Sequence, residues 1–270
     1  MSMSVEEMKD TRRLSPRTLG LLFVAMTVVS FAWHVEPLRA LDQAVRHALS
    51  RQGVHLIGGT WAWHGIGVQC RDTRIEVERM RRAIALHRVV ITPAFASLLH
   101  GELALAVAAE GEDGRLSMLA SRAANEVRLR KLVLELSADR VSHWLTLPLP
   151  VAMEGTFGVR GALSLASSTG RPDAGSLEVE WTNAGVHLAG DEYLLGTFHG
   201  HIDRMEHVWR WSLRGGTALR VSGQGEVADS GQLRGRLSVV SSGKLADIIP
   251  SGDLVLDGTL DAPRYRWSGR

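Results

Sequence analysis

From Gly53 to the end of the chain, apolar residues recur at every second position. Leu177, Val179 and Trp181 fall on one side of such a run, Glu178 and Glu180 on the other, which is the pattern of a half-buried β-strand. The same period predicts strands at Val54–Ile57, Thr60–His64, Arg74–Val77, Ala83–Ile91, Glu102–Ala108 and Arg115–Ala120. It continues at Val127–Leu136, Thr156–Val159, Ala162–Ala166, Ser176–Trp181, Gly185–Leu188 and His199–Asp203. The last group is Val208–Leu213, Ala218–Ser222, Gln232–Val240, Asp253–Leu256 and Arg264–Trp267. Near Lys131 the alternation slips, from Val127 and Leu129 to Leu132, Leu134 and Leu136, as one inserted residue would cause; a bulge is expected there. A glycine followed by alternating apolar residues recurs at Gly101, Gly161, Gly175 and Gly252, which suggests successive antiparallel hairpins. A sheet of so many strands must curl or split. The expected fold is therefore mainly β: an elongated, curled antiparallel sheet, an open trough with an apolar lining.

Upstream the period changes to 3.6. Leu38, Leu41, Ala44, Val45, Ala48 and Leu49 share one side of a helix; Arg39, Asp42, Gln43, Arg46 and Arg51 fall mostly on the other, and Gly53 can end it. Such an amphipathic helix over 36–52 can cap a β core or lie on a membrane or partner. Short helices are expected after Thr92-Pro93, closed by Gly101, and at Asp139–Leu145 and Leu245–Ile249.

Thr18 to Val35 carries no formal charge if His34 is neutral, and is just long enough to cross the hydrocarbon core of a bilayer. Trp33 and His34 would sit at the far interface. Lys9, Arg12, Arg13 and Arg17 precede the segment, and Arg39, Arg46 and Arg51 follow it, which places residues 1–17 in the cytoplasm. Residues 18–35 then form a single transmembrane anchor, and 53–270 an exported, periplasmic all-β domain. Two readings compete: a cleaved signal peptide, for which Ser30-Phe31-Ala32 offers a site, and a buried core helix.

Composition narrows the function. The 31 basic and 29 acidic residues leave a net charge of +2, too small a field for nucleic acid, so no nucleic-acid partner is expected. Cys70 is the single cysteine, which excludes an intramolecular disulfide and a cysteine zinc cage; a small buried hydrophobe is its default role. The motifs GxSxG, HExxH, CxxC and the phosphate-binding GxxxxGK[ST] are all missing. We expect no catalytic residue, no cofactor and no enzyme activity. The one metal candidate is His199-Gly-His201-Ile-Asp203, where positions i, i+2 and i+4 share a strand face. The alternation equally describes a solvent-facing strand edge. Trp61/Trp63 and Trp209/Trp211 are Trp-x-Trp pairs, each on one strand face, and core packing suits them best.

The stretch GGTWAWHGIGVQCRDTRIEV (58–77), following a helix and an uncharged span, resembles the opening of AsmA-like proteins. Ile91-Thr-Pro-Ala-Phe-Ala-Ser-Leu-Leu-His-Gly-Glu-Leu-Ala-Leu looks like a segment of type II secretion protein N. Gly155-Thr-Phe-Gly-Val-Arg-Gly-Ala-Leu-Ser-Leu, with Gly175-Ser-Leu-Glu-Val-Glu-Trp, is similar to that family's central hairpins. The resemblance implies a single-pass inner-membrane protein with its bulk in the periplasm. It would be an accessory component of the machinery that exports folded proteins, with other secretion-machinery proteins as partners. The alternative it implies is an AsmA-like lipid-binding or lipid-transfer protein of the envelope. Groove-lining candidates for that role are the apolar sets Leu103, Leu105, Val107 and Leu177, Val179, Trp181.

Overall fold

The structure, a computed structural model, describes residues 37–50, 53–77, 82–98, 102–123, 126–144, 152–167, 170, 172–188, 190–205, 207–260 and 262–269. The expected cytoplasmic segment and the anchor at 18–35 lie outside these residues. Among the described residues, no helix is long and apolar enough to cross a membrane. The first element is helix α1 (Pro37–Ser50), where the 3.6 period predicts it. The Gly53 amide donates to the Ser50 carbonyl, and Gly53 takes a φ of 71°, a conformation that a glycine adopts without strain.

The rest is one antiparallel sheet in which each strand pairs with its neighbours in the chain, from first to fourteenth among the described residues. The strands are β1 (Val54–His64), β2 (Gly67–Val77), β3 (Arg82–Pro93), β4 (Ala104–Gly111), β5 (Gly114–Arg122), β6 (Glu126–Ser137) and β7 (Ala152–Ala166). They continue as β8 (Pro172–Leu188), β9 (Asp191–Met205), β10 (Val208–Gly215), β11 (Leu219–Ala228), β12 (Leu233–Ser241), β13 (Gly252–Thr259) and β14 (Ala262–Gly269). The sheet is open: β1 and β14 each have a strand on one side only among the described residues. Helices α2 (Phe95–Leu98) and α3 (Ala138–Trp144) and a 3-10 helix at Gly243–Asp247 interrupt it. Thr92 and Pro93 belong to the end of β3, so the expected helix start there moves to Phe95.

Three pairs of expected strands fuse into single long strands: β1 across Gly58 and Gly59, β7 across Arg160 and Gly161, and β8 across Asn183. Gly58 and Gly59, with φ of 69° and 88°, lie inside β1, opposite the positive-φ Asp72 of β2. Gly155 in β7 (φ 99°), Asn183 in β8 (φ 50°) and Gly196 in β9 (φ 98°) fall beside one another, at register shifts between 154 and 156 and between 181 and 184. These are bulges that bend a strand without ending it, and three in adjacent strands crease the sheet. The slip at Lys131 is real: Lys131 has φ 51°, and the β6–β7 register shifts between Leu129 and Leu132.

Buried side chains gather along one end of β7–β12. Met153, Ala184, Val186, Leu195, Phe198, Val221 and Val239 form one cluster with Leu245 of the 3-10 helix and Ala138 of α3. Phe157, Trp181 and Phe198, cross-strand partners on β7, β8 and β9, stack at 5.0 and 5.5 Å between ring centroids. The Trp181 indole donates to the Glu154 carbonyl at 2.8 Å.

Candidate functional site

Because paired residues in a sheet point to the same face, the register tells the two faces apart. One row runs Trp61, Cys70, Val89, Ala109, Leu116, Leu134, Val159, Val179, Gly200, Leu213, Gly223, Leu237, Leu254 and Trp267. Every member is apolar or glycine, and the row has one member in every strand. At about 4.8 Å per strand it follows a contour of about 60 Å. Ala109 lies on this row and Leu105 and Val107 share its strand parity, as Leu177 and Trp181 share that of Val179. The two groove-lining sets expected from sequence thus belong to one face of one sheet, four strands apart.

Their surroundings differ. Trp181 is inside the aromatic stack, and Leu177 and Val179 are half-buried. Leu103 and Leu105 are open, at 77% and 47% exposure. Together with Pro93, Phe95, Ala120 and Val127 they border an apolar hollow of about 530 Å³ at the ends of β3–β6. Phe95 is itself 54% exposed. Sequence reasoning missed Phe95, Pro93 and Val127, because their meeting depends on β3–β6 register and on the short α2 turn.

The opposite face is polar. His199, His201 and Asp203 do share it, but β9 lies between β8 and β10, in the interior of the sheet and not at an edge. His199 and His201 border a polar hollow of about 660 Å³ with Glu135, Arg160, Glu178, Glu180 and Arg214. His199 Nδ1 stands 3.5 Å from Glu180 Oε1, both groups being well exposed. Among the described residues no three His, Cys, Asp or Glu side chains converge as a metal site would require.

Charges on this face alternate across strands. Asp203 pairs with Arg210, Arg210 with Glu226, and Glu226 with Arg234. The register set by Gly235–Leu256 and Gln232–Thr259 carries the row on to Asp257, which pairs with Arg264. A second row runs Arg88, Glu110, Arg115 and Glu135, with Arg115 to Glu135 at 2.6 Å. Such exposed pairs contribute about 0.2–1 kcal/mol each. Their larger effect is to hold this face in water and leave the apolar face as the one that needs covering. At the creased end, His187 Nε2 donates to Glu154 Oε1 at 2.6 Å. That bond, opposed by desolvation and aided by the charges of Glu154 and Glu192, raises the imidazole above its ordinary range.

Comparisons with known proteins add one positive finding. A search of curated proteins and a search of solved structures each return no match. The sequence model of the family described as type II secretion system (T2SS), protein N, matches residues 50–248, from the end of α1 through β12 and the 3-10 helix. That match covers most of the chain, and the chain therefore belongs to the type II secretion system protein N family.

Proposed function

We propose that this chain is a non-catalytic accessory component of the type II secretion machinery that works by protein–protein contact. In this reading residues 1–17 are cytoplasmic, 18–35 anchor the chain in the inner membrane, and the sheet stands in the periplasm. The observation that carries the proposal is the apolar row that crosses the fourteen described strands on a face left open in part, with Leu105 47% and Trp267 39% exposed. A sheet face of that kind is stable in water only when something else lies over much of it.

The test is secretion of a reporter substrate by cells whose own copy is replaced by a variant. Leu105→Glu and Val107→Glu place charge on an incompletely covered part of the face, away from the aromatic stack. The expected result is normal abundance and normal β-sheet content of the purified protein, with secretion lost. Normal secretion by a folded double variant would remove the proposal.

The apolar hollow favours a second reading, an AsmA-like protein that holds lipid. Each methylene of an acyl chain buried there contributes about 0.8 kcal/mol. Mass spectrometry of organic extracts of the purified full chain distinguishes the two: this reading expects stoichiometric lipid that Leu105→Asp abolishes, and the contact reading expects none.

A further inference from the structure

We propose that the edge of β14, which has no strand beside it among the described residues, accepts an extended segment of another polypeptide by strand addition, and that this segment alternates acidic with apolar residues. The two edges of the sheet are not equivalent. β1 is broken by the bulge at Gly58 and Gly59, and a bent edge resists pairing. β14 runs from Ala262 to Gly269 with positive φ at none of its residues, and its proline, Pro263, stands at the start, where an edge strand tolerates one.

The side chains of β14 say what fits beside it. The charge row Asp203, Arg210, Glu226, Arg234, Asp257, Arg264 alternates in sign and stops on an arginine. The neighbouring row ends in Arg266, whose cross-strand partner is Val255; its guanidinium reaches diagonally to Asp257 at 3.6 Å. Asp257 thus stands across from Arg264 and within reach of Arg266. On the other face the apolar rows reach Tyr265 and Trp267, which remain 64% and 39% exposed, with no further strand beside them among the described residues. A fifteenth strand that continued both patterns would place Asp or Glu against Arg264 and Arg266, and apolar residues against Tyr265 and Trp267.

A second copy of this chain fits poorly. A two-fold pairing centred on Arg266 sets that arginine against its own copy, and one centred on Tyr265 sets Arg264 against Arg266. The edge therefore repels itself and attracts an acidic strand. The family match ends at residue 248, so β13 and β14 lie beyond it. This inference rests on the contact-making reading above and names the chemistry of one partner.

The experiment uses the purified full chain in detergent and fluorescein-labelled eight-residue peptides, (Glu-Val)4 and (Lys-Val)4, read by fluorescence anisotropy. The acidic peptide is expected to bind, more weakly as salt is raised, and the lysine peptide to bind at least tenfold more weakly. Arg264→Glu with Arg266→Glu is expected to reverse that preference, while Arg160→Glu, on the same face but far from the edge, leaves it unchanged. An acidic peptide N-methylated at alternate amides keeps its charge but cannot pair, and should not bind. Should the double reversal fail to fold, Arg264→Gln with Arg266→Gln is expected to lower acidic-peptide affinity at least tenfold. Equal binding of the two unmodified peptides, binding of the N-methylated peptide, or dimers that form through β14 would overturn the assignment. If β14 fails these tests while secretion still depends on Leu105 and Val107, only the edge assignment falls.

Discussion

At the scale of single residues, two close contacts make opposite demands on glycine. A Cβ on Gly225 would stand 2.4 Å from the Trp211 ring and 2.4 Å from the Arg234 carbonyl oxygen. Trp211 lies across Gly225 and Gly235, so the missing side chains are replaced by the indole of the adjacent strand. A Cβ on Gly200 meets nothing closer than 3.5 Å. Gly225→Ala is therefore expected to lower stability by about 1–3 kcal/mol and Gly200→Ala to leave it unchanged or slightly raised, as thermal denaturation would show. Histidine 187 gives a pH signature. Its pKa is raised in the folded chain, so the pairing with Glu154 stabilises fully below the unfolded histidine value of about 6.5 and is lost as pH rises through the folded value. NMR titration should place the His187 midpoint above that of an ordinary histidine, and Glu154→Gln should bring it down. The stability difference between the two proteins should shrink as pH rises past that midpoint. At this scale the sequence was partly legible: Glu154 and His187 are distant in the chain and nothing local announces their meeting, whereas the shared face of His199, His201 and Asp203 follows from local period alone.

At the scale of elements, bulges decide where sequence reading succeeds. Lys131 was readable because a slip in alternation needs no partner strand to be seen. Gly58-Gly59, Gly155 and the segment around Asn183 read as strand ends, because a residue that permits positive φ serves a turn and a bulge equally well. Residues 67–73 and 191–198 escape notice for another reason: Arg71-Asp72-Thr73 and Asp191-Glu192 break the alternation, and pairing with neighbours on both sides overrides it. The bulge at Lys131 makes a direct prediction, since its φ of 51° strains any side chain and a β-branched one most. Lys131→Gly should be neutral or stabilising, and Lys131→Val should destabilise by about 1–2 kcal/mol in chemical denaturation.

At the scale of the whole molecule, the faces were legible and the rows were not. Each strand shows in its own sequence which side is apolar, but only the register, shifted at each bulge, lines those sides up into one continuous surface and brings Leu103 and Leu105 beside Phe95. The strictly sequential order also predicts how the chain tolerates shortening. Ending it after Ser251 removes β13 and β14 and should leave the remaining strands protected in hydrogen exchange. Ending it after Ser242 also removes Leu245, which is 1% exposed in the core, and should destabilise what remains by a further amount of about 2–4 kcal/mol.

That same order governs the response to force. Among the described residues no strand is stitched to one remote in the chain, so tension applied between the two ends of the sheet would reach the outermost hairpins first and peel them away in turn. Pulled that way, the sheet would lengthen by increments, yielding at modest load long before anything snapped.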